Sequence, residues 1–132
     1  DNYSDFYGGG ICLIFNNYAK VVSSLFYNNT GVLAGGGIYV GDSYVDVINC
    51  TFTENHSSTL TGIQYRRGSG MCLFGTNSNT VTHRVTNSIF VGNTPFGNNQ
   101  IARIANYGTY SYNMFEGVTH GTNVLTFNPA LP

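Results

Sequence analysis

Gly35-Gly36-Gly37-Ile38-Tyr39-Val40, followed after seven intervening residues by Ile48-Asn49-Cys50-Thr51-Phe52-Thr53-Glu54-Asn55, is one copy of a two-block unit that recurs along the chain. The first block returns as Gly8-Gly9-Gly10-Ile11-Cys12-Leu13 and as Gly68-Ser69-Gly70-Met71-Cys72-Leu73. The second returns as Val22-Ser23-Ser24-Leu25-Phe26-Tyr27-Asn28-Asn29 and as Thr86-Asn87-Ser88-Ile89-Phe90-Val91-Gly92-Asn93. A worn fourth copy is Ser111-Tyr112-Asn113-Met114-Phe115-Glu116-Gly117-Val118. The phenylalanines at 26, 52, 90 and 115 step by 26, 38 and 25 residues, and the long step holds two insertions, near 57–67 and 74–80.

A repeat of about 25 residues holding two or three short strands is one coil of a β-solenoid. Equivalent positions then stack one coil apart, about 4.8 Å. Strand alternation puts Ile48, Cys50 and Phe52 on one face, as it does Val22, Ser24 and Phe26, and Thr86, Ser88 and Phe90. The expected core is an aromatic ladder of Phe26, Phe52, Phe90 and Phe115, with small Ser24, Cys50 and Ser88 closing the narrow interior. Asn29, Asn55 and Asn93 form a second ladder at a turn, each amide bonding the next coil's amide and backbone.

Composition agrees. The 132 residues include 17 Asn, 17 Gly, 14 Thr and 10 Ser, with 19 Phe plus Tyr and a single Lys, which favours strands joined by many turns over helices. Charged residues are 8% and the net charge is -1, so no basic field exists to hold nucleic acid. No run of about 18 apolar residues is present to span a membrane. The chain opens at Asp1 and reads as a processed chain or an excised domain. The reading is a single domain over 1–132, with coils at about 8–34, 35–67, 68–99 and 100–128.

The paired GGGI and FxxN blocks resemble the repeats of right-handed parallel β-helix proteins. They are most similar to polymorphic outer-membrane protein repeats and the wider pectate-lyase-like surface proteins, over roughly residues 8–118. The resemblance implies an all-β, right-handed parallel β-helix of about four to five coils. Its members include adhesins, structural fibres, and polysaccharide lyases and hydrolases, so fold alone does not choose among them.

Catalysis by that class needs converging carboxylates. The chain has only Asp1, Asp5, Asp42, Asp46, Glu54 and Glu116, and the positions equivalent to Asp46 are Lys20 and Arg84. A charge ladder Lys20–Asp46–Arg84 is expected there rather than a catalytic pair, and no cofactor is implied. Cys12, Cys50 and Cys72 lack metal-ligand spacing. Cys12 and Cys72 sit in equivalent positions with Tyr39 between them, about 9.6 Å apart and too far for a disulfide. Three free thiols are expected. The sequons at Asn2, Asn28 and Asn49 are candidate glycan sites, with Asn2 on a tail, whereas Asn55 in its sequon belongs to the inward ladder. Tyr65, Arg66 and Arg67 in the first insertion form a possible ligand loop for glycans. The row Leu25, Tyr27, Ile89, Val91 and Met114 is outward and apolar.

No amphipathic helix caps either end. Ile11, Leu13 and Phe15 of the first strand, and Leu125 and Phe127 of the last, are therefore the expected assembly ends. They join a second copy head to tail or meet flanking coils of a longer chain. The expected role is a secreted structural subunit forming an extracellular filament or surface layer. A surface adhesin or carbohydrate-binding segment of a larger β-helix is second, and a polysaccharide lyase or hydrolase fragment third.

Overall fold

The computed structural model describes residues 1–15, 17–57, 68–74, 83–94, 101–103, 108–116 and 125–127, and among them there is no helix. The strands fall into four sheets in which all neighbours are parallel. Sheet 1 is β1 (Tyr3–Ser4), β5 (Thr30–Gly31) and β9 (His56–Ser57). Sheet 2 is β2 (Ile11–Ile14), β6 (Ile38–Gly41), β10 (Met71–Phe74) and β13 (Ile101–Arg103). Sheet 3 is β3 (Tyr18–Val22), β7 (Tyr44–Ile48), β11 (His83–Thr86) and β14 (Gly108–Ser111). Sheet 4 is β4 (Leu25–Tyr27), β8 (Thr51–Thr53), β12 (Ile89–Val91), β15 (Met114–Glu116) and β16 (Leu125–Phe127). The chain visits the four sheets in the same order three times, adding one strand to each on every pass.

The register is the one the repeats dictate. Phe26 pairs with Phe52, Phe52 with Phe90 and Phe90 with Phe115. Tyr39 lies between Cys12 and Cys72, and Asp46 between Lys20 and Arg84. The three cysteines are free. One core joins the inward faces of sheets 2, 3 and 4. It includes Ile38, Val40, Met71 and Leu73, then Val45, Val47 and Val85, then Phe52 and Phe90, all with exposures of 1% or less. A smaller cluster on the other face of sheet 2 packs Ala34, Tyr39 and Cys72 under Tyr7 and Phe74, with Tyr7 stacked on Tyr39.

Three expectations are corrected. Val22, Ile48 and Thr86 do not share the face of Phe26, Phe52 and Phe90. Val21, Val47 and Val85 are the buried residues, and Val22 is 43% exposed. The cause is a corner. Ser23, Asn49, Asn87 and Tyr112 stack in equivalent positions with φ of 49°, 55°, 50° and 56°, so alternation restarts between sheets 3 and 4. Asp46 lies on the outer face with Ile48, between inward Val45 and Val47. Second, β2 ends at Ile14. Phe15 turns at φ 63° and is 78% exposed, so it is a corner residue rather than the end of a strand. Third, Asn2 is not on a tail. Its backbone N–H and Nδ2 both donate to Asn29 Oδ1, at 3.1 and 2.9 Å.

Glycines sit where stacked segments of the chain come closest. A Cβ on Gly37 would strike the Gly70 carbonyl oxygen and the Phe52 ring, and Gly35 turns at φ 67°.

Candidate functional site

Two features of the surface carry chemistry. The first is the edge formed by β1, β2, β3 and β4, each of which has a strand neighbour on one side only among the described residues. Half of an edge strand's backbone N–H and C=O groups face away from its neighbour, ready to pair. The core opens along the same line. Ile11, Leu13 and Ala19 are half-buried, while the residues registered above them, Ile38, Val40 and Val45, are 1% exposed or less. Of the ten exposed large apolar side chains among the described residues, eight lie between Tyr3 and Tyr27. The largest near β4 is Leu25, at 66%. A protein surface scatters such side chains singly, and their concentration along β1–β4 is what distinguishes this edge among the described residues.

Of the expected assembly residues, Ile11 and Leu13 belong to this edge, and Phe15 stands at its corner. Leu125 and Phe127 are placed by backbone register alone, opposite Met114 and Glu116. The apolar row is graded: Leu25, Tyr27 and Ile89 are exposed, and Val91 and Met114 half-buried. Asn28 and Asn49 are exposed at left-handed corners, and Asn28 Nδ2 donates to Asp1. Tyr65, Arg66 and Arg67 lie outside the described residues.

The second feature is on the outer face of sheet 3. Asp46 is 4% exposed yet fully engaged: Tyr44 Oη donates to Oδ1 at 2.7 Å, and Arg84 Nη2 and Tyr18 Oη donate to Oδ2 at 2.6 and 3.4 Å. Tyr18 stacks on Tyr44 with centroids 5.0 Å apart, and the His83 ring lies 6.3 Å beyond. Burial pushes the Asp46 carboxyl up, but the Tyr44 and Arg84 hydrogen bonds outweigh it and hold the group below its ordinary value. The same hydrogen bond to Asp46 raises the Tyr44 hydroxyl, and burial lowers the His83 imidazole. The expected three-member charge ladder is therefore one ion pair, Arg84–Asp46. Lys20 keeps the register and stays exposed, with no ion pair to Asp46. The two tyrosines were missed by the sequence reading, although Tyr18 and Tyr44 stand two residues before Lys20 and Asp46, on the same strand face.

The pH consequence has a definite sign. Asp46 is depressed in the folded chain, so its contribution is present above the unfolded carboxylate value, about 3.9, and is lost as pH falls through the lower folded value. Asp46→Asn is expected to cost about 1–2 kcal/mol at pH 7, with the gap to wild type closing as pH falls below about 4. Urea unfolding at pH 7 and pH 3 checks this; a gap of equal size at both would contradict it.

Among the described residues no group of three His, Cys, Asp or Glu side chains could hold a metal, and no helix is long and apolar enough to cross a membrane. Comparison with family models, curated proteins and solved structures finds no match.

Proposed function

We propose that this chain is a structural protein: an extracellular, right-handed parallel β-helix whose role is to join further coils at the β1–β4 edge, building a filament or surface layer without catalysis. The observation that carries the reading is that eight of the ten exposed large apolar side chains among the described residues lie between Tyr3 and Tyr27, along the edge strands β1–β4. The all-parallel pairing, the fixed order of visits to four sheets and the inward ladders support a coil stack. Low charge, with many amide and hydroxyl side chains, suits a stack that extends by backbone pairing. Asp46, with both oxygens taken, supports a structural use of that carboxylate rather than an acid–base one. A segment of a larger surface adhesin would use the same edge for coils of its own. The half-exposed Arg84 beside the Tyr18–Tyr44 stack is the feature that favours a glycan contact in that case.

Electron microscopy of native material, with sedimentation on dilution, tests the reading. Long fibres or sheets that persist on dilution are expected. A stable, monodisperse monomer in native material would contradict it.

A further inference from the structure

The chain holds four sequons, Asn2-Tyr3-Ser4, Asn28-Asn29-Thr30, Asn49-Cys50-Thr51 and Asn55-His56-Ser57, and the fold treats their asparagines differently. An amide that carries a sugar keeps only one Nδ2 proton and must hold a bulky group clear of its neighbours. Asn55 fails on both counts. It is fully buried, and its Nδ2 donates to the Phe26 carbonyl and to Asn93 Oδ1, at 2.9 and 2.8 Å, which uses both protons. Asn2 Nδ2 donates to Asn29 Oδ1 at 2.9 Å, in the same ladder. Asn28 is exposed, and its Nδ2 donates to Asp1 Oδ1 at 3.1 Å.

Asn49 is the exception. It is exposed at the corner between sheets 3 and 4, with φ 55°, and its side-chain amide makes no hydrogen bond among the described residues. The backbone around it is held from both sides. Its own N–H donates to the Thr86 carbonyl at 3.1 Å, that of Cys50 to Ser88 Oγ at 3.1 Å, and that of Thr51 to the Ser24 carbonyl at 3.0 Å. A fixed backbone thus presents a free amide to solvent. Asn87, in the equivalent place at the same corner, is also exposed, with φ 50°, but Ser88-Ile89 follows it and no sequon forms. It is a built-in control for exposure and conformation without the motif.

We infer that Asn49 is an N-glycosylation site, the sequon whose amide the fold leaves free to carry a sugar. The donor is a lipid-linked oligosaccharide, and a transferase of the secretory route makes the link. Asn49 Nδ2 attacks C1 of the first sugar. The C1–N bond forms as the C1–O bond breaks, the polyprenyl diphosphate leaves with the bonding pair, and one Nδ2 proton passes to the transferase. Nothing is oxidised or reduced. Transfer acts on the extended chain, and folding then sorts the products. A sugar on Asn55 removes a proton that the buried ladder uses, and no room exists for it at a fully buried position. A sugar on Asn49 breaks no hydrogen bond of the described residues and stands at a corner, to the side of the backbone pairing between strands. The inference rests on the extracellular reading of the chain.

The test is peptide mapping by mass spectrometry of native material, with peptide-N-glycosidase release in heavy-oxygen water. Release turns a sugar-bearing asparagine into an aspartate labelled with heavy oxygen. The label is expected at Asn49 in most chains and absent at Asn55 and Asn87. Asn49→Gln and, separately, Thr51→Ala, expressed in the native host, are each expected to lower the mass of the intact chain by one oligosaccharide. Thr51→Ala keeps Asn49 in place and removes only the motif. Asn49 without label in native material, a label on Asn55, or a mass unchanged by Thr51→Ala overturns the site. Cell fractionation separates this failure from that of the reading beneath it. Chain recovered outside the cell with Asn49 bare removes only this inference, and chain found only in the cytosol with Asn49 bare removes the extracellular reading as well.

Discussion

Asn55→Leu is expected to destabilise the fold by roughly 4–6 kcal/mol, because the substitution strands several buried groups at once. Asn55 is fully buried. Its Oδ1 accepts both the backbone N–H and Nδ2 of Asn29, and its Nδ2 donates to the Phe26 carbonyl and to Asn93 Oδ1. Leucine has the same branched four-atom skeleton and no polar atom, so each of these partners loses a bond in a place water does not reach. An unsatisfied buried group costs about 1–3 kcal/mol, far more than the net worth of the bond it once made. Asn2→Leu, at the exposed end of the same ladder, is expected to cost about 1 kcal/mol or less, since solvent can satisfy what it leaves behind. Urea unfolding of the two variants measures the difference. Equal, small losses would mean that the ladder carries little stability.

Phe52→Ala is the second large effect, expected at about 3–5 kcal/mol. Its ring is 0% exposed and lies between two others, nearly parallel to both, at interplanar angles of 4° and 2°. Aromatic pairs left to themselves prefer offset or edge-on contacts. Here the backbone sets the spacing, because ring centroids 4.5–4.7 Å apart match the distance between paired strands. The gain is therefore chiefly buried area and dispersion, and removing the middle ring leaves a cavity with packed walls. Phe26→Ala opens onto the edge and is expected to cost less, about 2–3 kcal/mol. Thermal or urea unfolding that ranked Phe26 above Phe52 would contradict an edge at β4.

Much of this was legible because a stacked repeat writes its register into the sequence. Once Phe26, Phe52 and Phe90 were aligned, the pairing of Cys12 with Tyr39 and of Lys20 with Asp46 followed by counting. The asparagine ladder was legible for the same reason, since only a side chain with both donor and acceptor can repeat its bond from one repeat to the next. What failed was facing across corners. Alternation assumes an unbroken strand, and Asn49 in a left-handed conformation turns Ile48 outward while keeping Phe52 in. Nothing in the bare pattern separates an asparagine in a strand from one at such a corner, although asparagine's tolerance of positive φ is the available hint. The Asp46 cluster was not legible because it holds no second carboxylate. The groups that surround Asp46 are hydroxyls and a guanidinium, and these keep it ionised and occupied.

The measurement that bears most directly on the coil-joining role is cryo-electron microscopy of native material at a resolution that separates strands. The expected density continues past β2, β3 and β4 as further parallel strands at about 4.8 Å. Native particles in which β2, β3 and β4 face bulk solvent would contradict that role.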